Sequence, residues 1–349
     1  MKILLYTDVH FSTYSSILRT RGKKYSTRLE NLIKSISWAE QLSKQENCDA
    51  VVTLGDFFDK SIISDEEMTA LKEVFWNESI PHYALVGNHE SSVSSLEYSS
   101  TQALNSGITP FYILSQPYKL PLANGVLYFI PYITEDNRKP LKEYLTELGY
   151  DSDKLNIVFS HNDLKGIQLG RVQSVVGFDK DEIESCCNLF INGHIHNCNW
   201  ITKKILNLGN LTGQNFGEDA FIYKHQVLIL DTDTRELDFV ENPYSLKFYQ
   251  VNIESNKDLL RIDKLENNAV VTFRCKEEFY EKLVEKIRNH PNILESRISI
   301  IREATEGEST VDRVEDFTVN HLQKFKEFTI SKLGNDSIVQ EELSSLGIQ

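Results

Sequence analysis

Short apolar runs rich in β-forming residues recur through the first half of the chain, at positions 3–7, 50–54, 83–86, 126–131, 157–160 and 189–192. Between several of them, apolar residues recur at helical spacing, over 28–44, 66–76, 140–148 and 180–185. Strands alternating with helices predict a layered α/β fold. Beyond residue 196 the pattern changes to strands and turns, at 200–202, 205–208, 226–231 and 237–240, which predicts a second sheet made largely of antiparallel strands. Asn242-Pro243 marks a break. An extended stretch over 246–253, a strand at 269–274, a helix near 277–289 and a strand at 297–301 then predict a small βαβ-like second domain. Residues 303–312 are polar and rich in Gly, Ser, Thr and Glu, the composition of a linker. Val314, Phe317, Leu322, Phe325, Phe328 and Leu333 follow at near-helical spacing. They predict a C-terminal amphipathic helix, too short for its own core, that docks on another surface.

A length of 349 residues suits two domains with a helical tail. No apolar run approaches the roughly 18–20 residues of a membrane span, and the apolar N-terminus is too short for a secretory signal, so a cytoplasmic protein is expected. The five cysteines are odd in number and show no C-x-x-C spacing, which argues against a disulfide framework or a zinc ribbon. With 37 basic and 51 acidic residues the net charge is −14. That opposes non-specific binding to nucleic acid, which depends on phosphate neutralisation. Divalent cations in a cleft or a basic partner subunit can reverse the local potential, so charge alone leaves the substrate open.

Five motifs carry chemistry, each directly after a predicted strand. Asp8-Val9-His10 places a carboxylate and an imidazole two residues apart, where both can face one metal. Gly55-Asp56-Phe57-Phe58-Asp59 lets a carboxylate leave a sharp turn, although Gly and Asp are also the ordinary residues of turns. Gly87-Asn88-His89-Glu90 offers a neutral amide oxygen followed by an imidazole free for proton transfer. His161 alone would read as a structural histidine. Gly193-His194-Ile195-His196 puts two imidazoles where they can address two neighbouring metals. Five of the nine histidines fall in this set, and ligands gathered beyond strand ends are where α/β sheets build sites.

The ordered series D-x-H, G-D-x-x-D, G-N-H-E, H, G-H-x-H, from Asp8 to His196, resembles the calcineurin-like metallophosphoesterase superfamily. The resemblance implies an α/β two-sheet sandwich flanked by helices over residues 1–243, a small α+β capping domain for DNA over 244–303, and a linker with a C-terminal docking helix over 304–349. It implies one metal held by Asp8, His10, Asp56 and His196, and a second held by Asp56, Asn88, His161 and His194, with Asp56 bridging. His89 would assist the leaving oxygen and Asp59 would orient it. Carboxylate, amide and imidazole ligands suit two manganese ions, with magnesium as the alternative. Ser160 stands before His161 where many members carry glycine.

Within the superfamily the chain is most similar to SbcD-type recombination nucleases, the catalytic subunits of complexes that process DNA ends. His161 to Gly166, Gly177-Phe178, Leu208-Gly209-Asn210 and Gly217-Glu218 resemble segments of that branch, and the unit over 254–302 resembles its capping domain. The resemblance implies a DNA exonuclease and endonuclease. It also implies a homodimer within a heterotetramer, with an SbcC-like, ABC-type coiled-coil ATPase docked on the C-terminal helix. The chain has no Walker A sequence, so ATP hydrolysis would reside in that partner. A phage origin, suggested by the length, would place it in the host cytoplasm. Arg19, Arg21, Lys23, Lys24 and Arg28 form a basic cluster after the first motif, read either as a phosphate-tracking loop or as a solvated loop entering a helix. The alternatives are a phosphoesterase of small esters or phosphoproteins, and a non-catalytic scaffold, which typically loses ligands that this chain retains.

Overall fold

Strands that are apolar on both faces have to be covered on both, and here helices cover one side and a second sheet the other. The computed structural model describes residues 1–15, 18, 24–75, 79–92, 95–106, 110–169, 172–288 and 290–301. Contacts divide the chain into a first unit, Met1–Leu246, and a second that begins at Lys247.

In the first unit, β1 (Lys2–Tyr6), β2 (Ala50–Thr53), β3 (His82–Leu85) and β4 (Phe111–Leu114) open one sheet. The chain then crosses to a second sheet made of β5 (Tyr118–Pro121), β6 (Gly125–Ile130), β7 (Leu155–Ser160), β8 (Leu189–Asn192), β9 (Asn199–Trp200) and β10 (Ile205–Asn207). It returns to the first with β11 (Gln226–Asp231) and β12 (Leu237–Glu241). The strand orders are β12-β11-β1-β2-β3-β4 and β9-β10-β8-β7-β6-β5. Within them β1 to β4, and β6, β7, β8 and β10, run parallel. The separate antiparallel sheet expected after residue 196 does not form. Of those four strands, β9 and β10 extend the second sheet, while β11 and β12 complete the first, β11 pairing antiparallel with β1 from Lys2↔Asp231 to Leu5↔Leu228.

The alternation along β1 shows the layering. Ile3 and Leu5 pack between the sheets with Phe129, Phe159, Ile191 and Leu228. Leu4 and Tyr6 face the other way, toward Leu29, Leu32 and Ile36 of α1 (Thr27–Gln45) and Leu71 of α2 (Asp65–Phe75). Ser26 caps α1, its hydroxyl accepting from the Leu29 amide at 3.2 Å. On the outer face of the second sheet, Tyr128, Val158 and Phe190 pack against Leu141 and Leu145 of α3 (Leu141–Glu147) and Ile183 of α4 (Lys180–Cys186). The result is a helix–sheet–sheet–helix sandwich, each fully buried Leu, Ile or Phe contributing about 1.5–3 kcal/mol.

The second unit has a parallel three-stranded sheet, β13 (Lys247–Ile253), β14 (Ala269–Lys276) and β15 (Ile293–Ile301), in that order. Helix α5 (Tyr280–Ile287) joins the last two strands, with Leu283 buried. It is shorter than its sequence pattern suggests because Glu277–Phe279 form a tight 3-10 turn ahead of it. The expected linker and C-terminal helix lie outside the described residues. Among the described residues no helix is long and apolar enough to cross a membrane.

Candidate metal centre

The loops that follow β1, β2, β3, β7 and β8 leave the carboxyl ends of parallel strands and meet at one end of the sandwich. Their backbones are bound together first. The Asp8 amide donates to the Gly55 carbonyl at 3.1 Å, the His10 amide to Asp56 at 3.0 Å and the Gly193 amide to Ser160 at 2.9 Å. Seven non-glycine residues among those described adopt positive φ, and four of them are Asp8 (49°), His10 (46°), Asp56 (48°) and His194 (71°). Such backbone costs on the order of 1–3 kcal/mol per residue and persists where surrounding contacts over-determine it. Here it turns ligand side chains inward.

Asp8, His10 and His196 form one cluster and Asp56, His161 and His194 another. In the first, His10 Nε2 and His196 Nε2 each lie 3.9 Å from Asp8 Oδ1, and His10 Nε2 also lies 3.9 Å from Asp56 Oδ2. In the second, His161 Nε2 is 3.2 Å from Asp56 Oδ2 and 3.2 Å from Asn88 Oδ1, and His194 Nδ1 is 2.9 Å from Asn88 Oδ1. Asp56 Oδ2 thus faces both clusters, while its Oδ1 accepts from the His89 amide at 3.0 Å.

A divalent cation fits this set on two observations. Asp8 Oδ1 and both ring nitrogens of His10 are buried and have no hydrogen-bond partner, which buried polar atoms rarely lack. In addition, each of the four histidines has its other ring nitrogen beside an oxygen, and in His161, His194 and His196 the two are hydrogen-bonded. His10 Nδ1 is 3.2 Å from Asp59 Oδ1, His161 Nδ1 donates to the Leu54 carbonyl at 2.6 Å, His194 Nε2 is 3.1 Å from Asp163 Oδ1, and His196 Nδ1 is 2.8 Å from Glu218 Oε1. In those three the outer nitrogen is fixed by its oxygen partner and the other ring nitrogen faces inward, as metal-bound imidazoles require. The donors are carboxylate, amide and imidazole without thiolate, which suits manganese- or magnesium-type ions.

The electrostatics follow from burial and charge. Burial alone would raise the Asp56 carboxyl, but His161, then His10 and His89, hold it well below the usual carboxylate range. Burial opposes a charge on His161, yet Asp56 outweighs it and pushes that imidazole up to about 9. Glu90, which motif reading left without a role, is fully buried and accepts from the Gly87 amide at 2.7 Å and the Phe58 amide at 3.0 Å. Burial, then Asp56, push its carboxyl up to about 7. It ties the loop after β2 to the loop after β3.

Two expected assignments change, those of Asp59 and Arg28. Asp59 lies nearer to His10 than to His89, its carboxylate being 3.8 Å from His89 Nδ1; the backbone carbonyl of Asp59 accepts from His89 Nδ1 at 3.1 Å. The side chain therefore faces His10, and the main chain orients His89. Arg28 is buried rather than on a phosphate-tracking surface. Its Nη2 donates to the His10 carbonyl at 3.2 Å and to Gln214 Oε1 at 3.4 Å, because α1 begins directly beneath the first motif. Lys24 is exposed but paired with Glu73 and sits 5.1 Å over the Tyr25 ring. Arg19, Arg21 and Lys23 lie outside the described residues. His89 is 43% exposed at its side chain, with Nε2 4.0 Å from Asp56 Oδ2. Beside His194 and His196, Asp163, Leu164, Ile167, Ser174 and Ile195 line an open cavity of about 230 Å³.

A family profile described as calcineurin-like phosphoesterase matches residues 1–198. No curated protein matches the chain. Among solved structures, TT1561 of Thermus thermophilus is similar at 12% identity and a TM-score of 0.40, over 69% of this chain and 98% of that one. A dimetal phosphatase from Danio rerio is similar at 16% identity and a TM-score of 0.40, over 69% and 98%. Yfce, a phosphoesterase from E. coli, is similar at 14% identity and a TM-score of 0.30, over 69% and 100%.

Proposed function

Because the chain belongs to the calcineurin-like phosphoesterase family, we propose that its metal centre hydrolyses phosphodiester bonds in DNA, as the nuclease subunit of a complex that processes DNA ends. The observation that carries the chemistry is Asp56 Oδ2 facing two complete ligand clusters, with the half-exposed His89 at their open side. Asp8, His10, Asp56 and His196 would hold one manganese ion, and Asp56, Asn88, His161 and His194 the other. When bound, the two cations supply Lewis-acid polarisation of the phosphoryl oxygens and an acidified water.

The chain's own residues do the rest. Oxygen from water adds to phosphorus, the bond to the leaving oxygen breaks, and a phosphate end and a hydroxyl result. His89 Nε2 faces the cleft while Nδ1 is held by the Asp59 carbonyl, so Nε2 is the atom that can hand a proton to the leaving oxygen. Asp163, Glu218 and the Leu54 carbonyl fix the imidazoles of His194, His196 and His161, so that little reorganisation accompanies reaction. The DNA substrate is supported by the arrangement of the sequence after the last motif, where a small α/β unit follows as a capping domain for DNA would. The same reading supplies a homodimer and an ABC-type coiled-coil ATPase docked on the segment 314–333.

The test is degradation of end-labelled linear double-stranded DNA in manganese, with and without such an ATPase, beside hydrolysis of a small phosphate diester. The proposal expects cleavage of both, with His89→Ala lowering the rate by about 10²–10⁴-fold. Hydrolysis of the small ester alone would retain the phosphoesterase and remove the DNA reading.

A further inference from the structure

The outer partners of the two cation clusters are not equivalent. Glu218, in the loop between β10 and β11, is buried and has both carboxylate oxygens saturated. Oε1 accepts from Asn215 Nδ2 at 2.9 Å as well as facing His196 Nδ1 at 2.8 Å. Oε2 accepts from Asn210 Nδ2 at 2.8 Å and from the Gln214 amide at 2.8 Å. Gln214, held in this way, sends Nε2 to the Asp8 carbonyl at 2.8 Å. Its Oε1 accepts from Arg28 Nη2, which also donates to the His10 carbonyl. One carboxylate therefore organises a loop that touches His196 directly, Asp8 through Gln214 and His10 through Gln214 and Arg28. Among the described residues, no hydrogen bond of Glu218, Gln214 or Arg28 reaches Asn88, His161 or His194. Those three are held instead by their mutual contacts, the Leu54 carbonyl and Asp163.

We propose that Glu218 is a positioning residue for one cation site alone, the site of Asp8, His10, Asp56 and His196, and that the loop it organises sets that site's affinity. Ligand orienters of this kind typically change metal affinity by roughly 10–100-fold when removed. A carboxylate that only stiffened the loop would loosen both sites together or neither.

This rests on the two-cation reading, and the test separates the two. Metal-stripped protein is titrated with manganese by calorimetry in three forms: wild type, Asn88→Ala to cripple the second site, and Asp8→Ala to cripple the first. Adding Glu218→Ala should weaken the site remaining in Asn88→Ala by roughly 10–100-fold and leave the site remaining in Asp8→Ala unchanged. Glu218→Gln, which keeps an acceptor for His196 Nδ1 but sets an amide against the Asn210 and Gln214 donors, should fall between and serves if the alanine variant does not fold. Equal weakening in both backgrounds, or none in Asn88→Ala, overturns the proposal while two-cation binding stands. A wild type that binds no manganese overturns both.

Discussion

Three of the four inner histidines have one ring nitrogen hydrogen-bonded to an oxygen, and that division decides what the other nitrogen can do. For His161 and His196 the inward atom is Nε2; for His194 it is Nδ1, because Asp163 takes Nε2. Close packing is as strict as the tautomers. A Cβ added at Gly87 would fall on Asp56 Oδ1 and on the Asp56 amide nitrogen, so glycine is required there by the approach of a ligand. Gly87→Ala is expected to cost about 1–3 kcal/mol in overpacking and to move the shared carboxylate. Thermal melts with and without manganese check this, since the variant should lose the stabilisation that bound metal gives the wild type. At this scale the residues that the two clusters bring together were legible because each stands directly after an apolar strand. Their partners were not, for a physical reason. Glu218 lies 22 residues from His196 and Asp163 lies 31 from His194, separations set by how loops fold back rather than by any periodicity. Arg28 misled because a basic residue at a helix start reads the same whether solvent or a backbone carbonyl receives it.

Strands β1, β2, β3, β6, β7 and β8 and helices α1 to α4 were legible to within about two residues, since parallel strands covered on both faces are continuous apolar runs, whereas the edge strands β4 and β5 were missed. The sheet membership of β11 and β12 was not. An antiparallel pair can form a sheet of its own or close the edge of an earlier one, and only the pairing of β11 with β1 decides. Helix α2 shows how an element holds a motif loop in place. Glu67, in its first turn, is 1% exposed and accepts from the Thr13 amide at 2.8 Å and the Ser64 amide at 2.8 Å, joining the chain after His10 to the helix start. Burial pushes its carboxyl up, but the Ser64 and Thr13 donors outweigh burial and hold it below its usual value of 4.5. A carboxyl depressed on folding adds stability above its unfolded value and loses it as pH falls through the folded one. Glu67→Gln should therefore cost about 1–3 kcal/mol near neutral pH, with the gap to wild type closing in acid. Urea unfolding at both pH values measures it, and a gap independent of pH contradicts the assignment.

For the molecule as a whole, a net charge of −14 opposes the phosphate attraction on which most DNA binders rely. On the proposed DNA reading, cations held at the end of the sandwich or a basic partner subunit would supply it. DNA anisotropy titrations should accordingly show little binding in a chelator and clear binding once divalent ions are added. Equal binding in both would shift the attraction to protein side chains. All of this depends on one carboxylate serving both cations. The most direct test is calorimetric titration of metal-stripped wild type and Asp56→Asn with manganese, followed through to phosphodiester hydrolysis. The account predicts two manganese ions per wild-type chain, and loss of tight binding at both sites together with hydrolysis in the variant. One ion or none in the wild type, or two bound at undiminished affinity in Asp56→Asn, would contradict it.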